Sequence, residues 1–266
     1  MKPYTLKTFQ IFFLSLCFSC SNIVSEDLKE LNLKGDVKSV TTLKYKAVEK
    51  FGNIDKNKST YRDDDDITDQ YSNTALSFNE AGKLMTLKFM DSDGRSIFVM
   101  KFESDSSATM YSGDGNRVMV IKFKDKGGIL NGDYYQANGD LLIRSIIEVN
   151  ENDQPLEIMQ YDANGKLIGF EKNKFDGNGL ISEIEQMELV PNRRSYYDSE
   201  VQRITNYHFT YNEHKDPIKI DYTKYNRTEQ RECTYEYDEM GNWIRKYIVV
   251  DAKPELIVER EITYYQ

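Results

Sequence analysis

Histidine, tryptophan, proline and cysteine are all scarce in this 266-residue chain, which holds two His, one Trp, five Pro and three Cys. The two His, His208 and His214, have no companion Cys and no His-Glu-x-x-His pattern, so an ordinary zinc site is excluded. No Gly-x-Ser-x-Gly elbow is present for a nucleophilic Ser. Positive charge is in deficit: 35 Lys and Arg face 44 Asp and Glu, for a formal charge of −9. An acidic chain without a basic stripe lacks the electrostatic footprint of a nucleic-acid binder. Long apolar runs are missing too. The longest, Phe9 to Phe18, is too short to cross a bilayer as a helix, which takes about 20 apolar residues. The glycine pairs Gly113-Asp114-Gly115 and Gly127-Gly128 lack the helix and the Lys-Ser/Thr of a phosphate loop. No cofactor and no metal is expected.

Two of the three Cys, Cys17 and Cys20, lie at the N-terminus, behind Lys2, Lys7 and the short apolar run. That order is a secretory signal, and Ser19 before Cys20 resembles the lipobox of bacterial lipoproteins. The division expected is a signal peptide at 1–19, a lipid anchor on Cys20, a polar tether at 20–34 and a single domain at 35–266. The address expected is the cell envelope, at the outer membrane, facing the periplasm or the surface. Cys233 is then the sole thiol of the domain, so no internal disulfide supports it. Its alternation with Tyr235 and Tyr237 predicts a buried strand position.

What the chain has in abundance is tyrosine, 19 residues of it, and a repeated turn. Tyr161-Asp162-Ala163-Asn164-Gly165-Lys166-Leu167 shows the unit: an aromatic strand end, a polar turn closed by Gly, and the next strand. Related copies start at Phe78, Met90, Tyr111, Phe123, Tyr135, Phe175 and Tyr237; copies without the Gly start at Phe102, Val149, Tyr211 and Tyr225. Most steps are 12 to 14 residues, which holds one strand and one turn and is too short for a strand-helix unit. The fold expected is all-β: a long antiparallel meander of about fifteen strands, curled or spiral but open at its edges. The first strand is expected over 37–45. Residues 51–70, with Asp63 to Asp66, read as a solvated loop.

The period, with Tyr-Asp-x-x-Gly-Asn at Tyr237 to Asn242 and Tyr-Asp-x-x-Gly-Lys at Tyr161 to Lys166, resembles the YD repeats of the RHS family. The opening Leu33 to Val40, the late Gly241 to Arg245 and the closing Glu259 to Tyr265 are similar to small bacterial lipoproteins with YD-like repeats and no assigned activity. The resemblance implies a β-sheet that spirals into a shell, and by the name attached to such repeats, carbohydrate binding. The enclosing role of large RHS proteins does not carry over, since this chain has too few repeats and no toxin domain.

No pair among the 44 acids stands out as a glycosidase pair. Glycan hydrolysis is therefore the least supported reading, and a non-enzymatic binding or scaffolding module is expected. Its partners are the membrane, through the anchor, and a glycan or protein, with immunity or chaperone pairing to a secreted toxin as a further reading. The aromatics of the last third supply the candidate contacts, namely Trp243, Tyr247, Tyr235 and Tyr237. The same rings also suit cross-strand ladders that support a sheet.

Overall fold

The computed structural model describes residues 27–57, 73–191, 200–224 and 227–266. The expected signal peptide, Cys20 and the Asp63 to Asp66 run lie outside them. Among the described residues, one short helix, α1 (Asp27–Glu30), precedes seventeen strands. These are β1 (Val37–Lys50), β2 (Asn53–Lys56), β3 (Asn73–Phe78), β4 (Leu84–Met90), β5 (Ser96–Ser104), β6 (Ser107–Ser112), β7 (Arg117–Asp125), β8 (Ile129–Gln136) and β9 (Leu141–Val149). They continue as β10 (Pro155–Asp162), β11 (Leu167–Phe175), β12 (Ile181–Pro191), β13 (Glu200–Tyr211), β14 (Pro217–Lys224), β15 (Arg227–Tyr237), β16 (Trp243–Val250) and β17 (Lys253–Tyr264).

The expected meander is present, with each strand from β3 to β17 antiparallel to the next. The expected open edge is not. β1 pairs with β3 on one side and with β17 on the other, so sixteen strands close into a barrel and β2 is left as an extra hairpin strand. The closing seam runs from Val37↔Tyr264 to Lys46↔Leu256. Closure needs little more than the 37–45 span expected: Ser39–Thr42 pair with β3 along one edge and Val37–Lys46 with β17 along the other, while the added Ala47–Lys50 pair with β2. Closure satisfies backbone groups that an open edge would leave bare. β2 also corrects the 51–70 loop, because its first residues turn back at Phe51-Gly52 and pair with Ala47–Lys50.

The repeated turn has a simple mechanical basis. Asp162 Oδ1 accepts the backbone N–H of Asn164 and of Lys166, each at 2.9 Å. Asn79, Asp91, Asp176 and Asp238 do the same for their own turns. The acid after the aromatic residue is therefore the turn's internal acceptor. The residue four after the aromatic is left-handed: Gly165 has φ +81°. In copies without Gly, Asp153 and Lys215 take this position at φ +59° and +67°. A side chain there costs about 1–2 kcal/mol, partly returned by the larger chain entropy of Gly on unfolding. Asp153→Gly is expected to stabilise by about 0.5–1 kcal/mol in urea unfolding.

Direct cross-strand pairing fixes which side chains share a face. Leu87, Met100, Met110 and Met119 form one continuous row, and Ile121, Tyr134 and Ile143 another. These residues are 1–6% exposed and make the main core. The opposite face carries exposed Lys101, Lys122, Arg144, Glu148, Lys172 and Glu232. Arg144 donates to Asp133 at 2.7 Å and Lys172 lies 2.8 Å from Glu157, both directly opposite pairs. The apolar face points inward and the charged face outward. Membrane-spanning barrels have the reverse pattern, and a Lys or Arg at mid-membrane on their outer wall costs about 2–4 kcal/mol. The outer wall of this barrel is built for water. A round barrel of sixteen strands would leave an aqueous channel. The near-total burial of the β4–β10 interior means that side chains fill it there.

The part of the expected tether that is described packs across one end of the barrel. Leu28, Leu31 and Leu33 join Val37, Val40, Phe78 and Leu84 in a second core. Asn32 Nδ2 donates to the His214 carbonyl at 2.9 Å and to Asp216 Oδ1 at 3.1 Å. Lys34 N donates to Asn242 Oδ1 at 2.7 Å, and Asn242 Nδ2 returns a bond to the Lys34 carbonyl at 2.8 Å. Residues 28–34 thus stopper the end at which the chain enters.

Candidate functional site: the inner face of strands 13 to 17

The barrel interior divides by polarity. From β4 to β8 it is apolar. Across β9–β13 it is buried but polar: Ser145, Gln160, Glu171, Asn173, Gln186 and Thr205 are each 0–4% exposed. At the centre, Glu171 Oε2 accepts from Gln186 Nε2 at 2.8 Å and Oε1 from Asn173 Nδ2 at 3.2 Å. Burial pushes the Glu171 carboxyl up to about 8, although both bonds oppose the rise. Ser145 Oγ, Gln160 Nε2, Asn173 Oδ1 and Gln186 Oε1 have no partner among the described residues. These atoms are sealed from solvent, so this zone is a buried polar core.

From β13 through β17 to β1 the inward side chains are only partly covered. This sector is the candidate site. Its floor is the third core, Cys233, Ile248, Leu256 and Val258, with Tyr235, Trp243 and Val250 packed against it. Cys233 is buried, as its place in the strand predicts, and forms no disulfide among the described residues. Above the floor the Arg260 guanidinium lies 3.5 Å from the centre of the Trp243 ring. Lys246 Nζ lies 5.6 Å from the same ring, and Tyr235 meets it edge-on at 5.9 Å. Further along, Arg231 sits 4.8 Å from the Tyr222 ring and bonds Glu229 at 3.0 Å, and Tyr222 stacks on Tyr207 at 5.9 Å.

The register places Lys44, Arg231, Lys246 and Arg260 on this inner wall, against Glu229. A chain of net charge −9 has therefore turned a cationic, aromatic surface inward. Burial holds the Arg260 guanidinium down to about 10, with Asp216 pulling in the other direction. Asp216 itself is engaged elsewhere, by Asn32 and by the Tyr237 hydroxyl at 3.0 Å. Burial also raises the hydroxyls of Tyr222 and Tyr237 to about 12, and that of Tyr235 further, so all three stay neutral donors at pH 7.

Three of the four candidates expected from sequence meet in this sector. Trp243 is inside, packed on the third core beneath Arg260. Tyr235 is inside and donates to the Pro217 carbonyl at 2.6 Å. Tyr237 lines the stoppered end, stacked on His214 at 4.1 Å. Tyr247 is on the outer wall, bonded to Glu236 at 3.0 Å, and takes no part. His208 also faces out, 3.8 Å from Glu183. The sequence reading passed over Arg260, which looks solvated between Glu259 and Glu261. Its parity with Leu256, Val258, Ile262 and Tyr264 was the available signal.

No family model matches the chain, and no curated protein is similar to it. Among solved structures, a porin-like protein from Bacteroides uniformis superposes with a TM-score of 0.49 at 11% identity, over 86% of this chain and 98% of that one. The TcdB2-TccC3 structure without its hypervariable C-terminal region gives a TM-score of 0.33 at 11% identity, over 84% of this chain and 13% of that one. Likeness at this level leaves the chemistry of the inner wall to be read from its own side chains.

Proposed function

We propose that this chain is a non-enzymatic binding protein of the bacterial envelope, held to the membrane through Cys20, that keeps a small ligand on the inner wall of β13–β17. The observation that carries the reading is the partly open, cationic and aromatic sector inside a barrel whose other interior surfaces are sealed. Fields from charges on a recessed wall are concentrated there and raise the local concentration of a ligand of opposite sign. A binding site needs a largely apolar concavity with a few placed polar groups, which the third core and its charged rim supply. Scaffolding through a bare sheet edge loses its support, because closure removes the edges of the meander. An aromatic platform for sugars loses support too, because Arg260 covers one face of Trp243 and Tyr247 stands on the far side of the wall. The repeated turn accounts for strand length and turn type.

The test is native mass spectrometry of the full chain after mild extraction from its own membranes. The expected spectrum shows an acylated protein with a small molecule that leaves on unfolding, and Cys20→Ala removes the acyl mass but keeps the ligand. An apo mass alone, with no shift in Trp243 emission when an envelope extract is added, contradicts the binding reading.

A further inference from the structure

The geometry points to an anionic head group as what Arg260 holds, carried on an apolar body that lies over the third core. The inference rests on the binding reading above and adds the ligand's chemistry. Four observations support it. Arg260 Nε is sealed from solvent and has no acceptor among the described residues. No carboxylate bonds the guanidinium among those residues either. Glu259 faces outward to Arg245 and Lys56, at 3.1 and 2.8 Å. Asp216, the acid whose field reaches Arg260, is taken by Asn32 and Tyr237.

Arg260 as a whole is half-buried, and a partly buried cation without a counter-charge is costly to keep, so folded proteins pair such groups. The stack on Trp243 returns only part of that cost but fixes the guanidinium in a plane. A planar fork of donors suits a carboxylate or phosphate oxygen pair. Lys246, beside the same ring, adds a second positive charge to the place where the head group would lie. The floor below is hydrocarbon: Cys233, Ile248, Leu256 and Val258 are 3–5% exposed, and Val250 packs on them. Tyr235, Trp243 and Val250, which pack on that floor, are only partly covered and offer an apolar body a surface to lie on. An amphipathic carboxylate covers both the cation and this surface.

Trp243 is the sole tryptophan, so its fluorescence reports this site without interference. The experiment titrates the full chain with decanoate and, separately, with decanol. Decanoate is expected to shift Trp243 emission saturably. Arg260→Gln is expected to weaken it about ten- to a hundredfold, the usual worth of a charge-assisted hydrogen bond. Decanol is expected to bind more weakly than decanoate and to be indifferent to Arg260→Gln. Arg260→Lys keeps the charge but loses the fork, so an intermediate loss is expected; circular dichroism of both variants checks folding. Equal binding of the acid and the alcohol, unchanged in Arg260→Gln, overturns the anion assignment and leaves the binding reading standing. Silence from both probes also overturns it, and native mass spectrometry then decides the binding reading separately. Wild-type affinity in Arg260→Lys overturns the role given to the planar fork.

Discussion

Replacing Glu171 with Gln is expected to stabilise the protein strongly at pH 8 and above and to leave its stability at pH 4 almost unchanged. Glu171 is fully buried at the middle of β11, between Gln186 and Asn173. Burial raises its carboxyl from 4.5 to about 8. Below pH 4.5 both folded and unfolded chains hold the proton, and the residue costs nothing. Between 4.5 and about 8 the unfolded chain releases the proton while the native protein keeps it. The native state then binds more protons than the unfolded state, so stability falls as pH rises. Above about 8 both states are ionised and the loss levels off. The full penalty is on the order of 5 kcal/mol, at about 1.4 kcal/mol per pH unit across the window. Gln removes the titration and keeps the shape. Its amide N–H groups can donate to Gln186 Oε1 and Asn173 Oδ1, which have no partners among the described residues. In the wild type, turning over the Gln186 amide lets its oxygen accept the proton of neutral Glu171. Urea unfolding from pH 4 to 9 reads the effect. Wild-type midpoints should decline with pH and Glu171→Gln midpoints should not; parallel profiles would show that Glu171 is not held neutral.

The turns, the strand order and the all-β class were legible because each is local. A Gly or a left-handed residue at a fixed distance from an aromatic, with an Asp accepting two backbone bonds, sets strand length and forces neighbours to pair. Whether the two ends of such a meander meet is not local. β1 and β17 carry the same alternation that an edge strand would carry, and nothing within either one names the other. The mistaken reading of an open sheet arose there. The same gap hid the site. Trp243 and Tyr235 could be picked out by residue type, but inside and outside are defined only once the sheet closes. Tyr247 therefore looked equivalent to Tyr235, though it projects from the opposite face. Arg260 and Glu171 were hidden differently, as charged residues at inward positions, where composition argues for solvent and only strand parity argues against it.

Closure carries the second large effect. Thr41 and Glu261 are directly paired across the seam and face outward. Opposed residues on antiparallel strands stand about 4.5–5.5 Å apart at Cα, within the reach of a disulfide. A bond between Thr41→Cys and Glu261→Cys closes a loop of roughly 220 residues, worth about 5 kcal/mol in the chain-entropy description. The oxidised double variant is expected to unfold at markedly higher urea than its reduced form. Cys233 is buried in the third core and does not compete for the new thiols.

The inner wall exists only if the β1–β17 seam closes, and formation of that bond tests the seam directly. In the full chain bearing Thr41→Cys and Glu261→Cys, mild oxidation is expected to give an intrachain disulfide in nearly every molecule, seen as faster migration on a non-reducing gel. In an open sheet of sixteen strands the same two positions would lie roughly 70 Å apart. Two thiols that stay free under oxidant, with the fold intact, would contradict the closed barrel and with it the enclosed site.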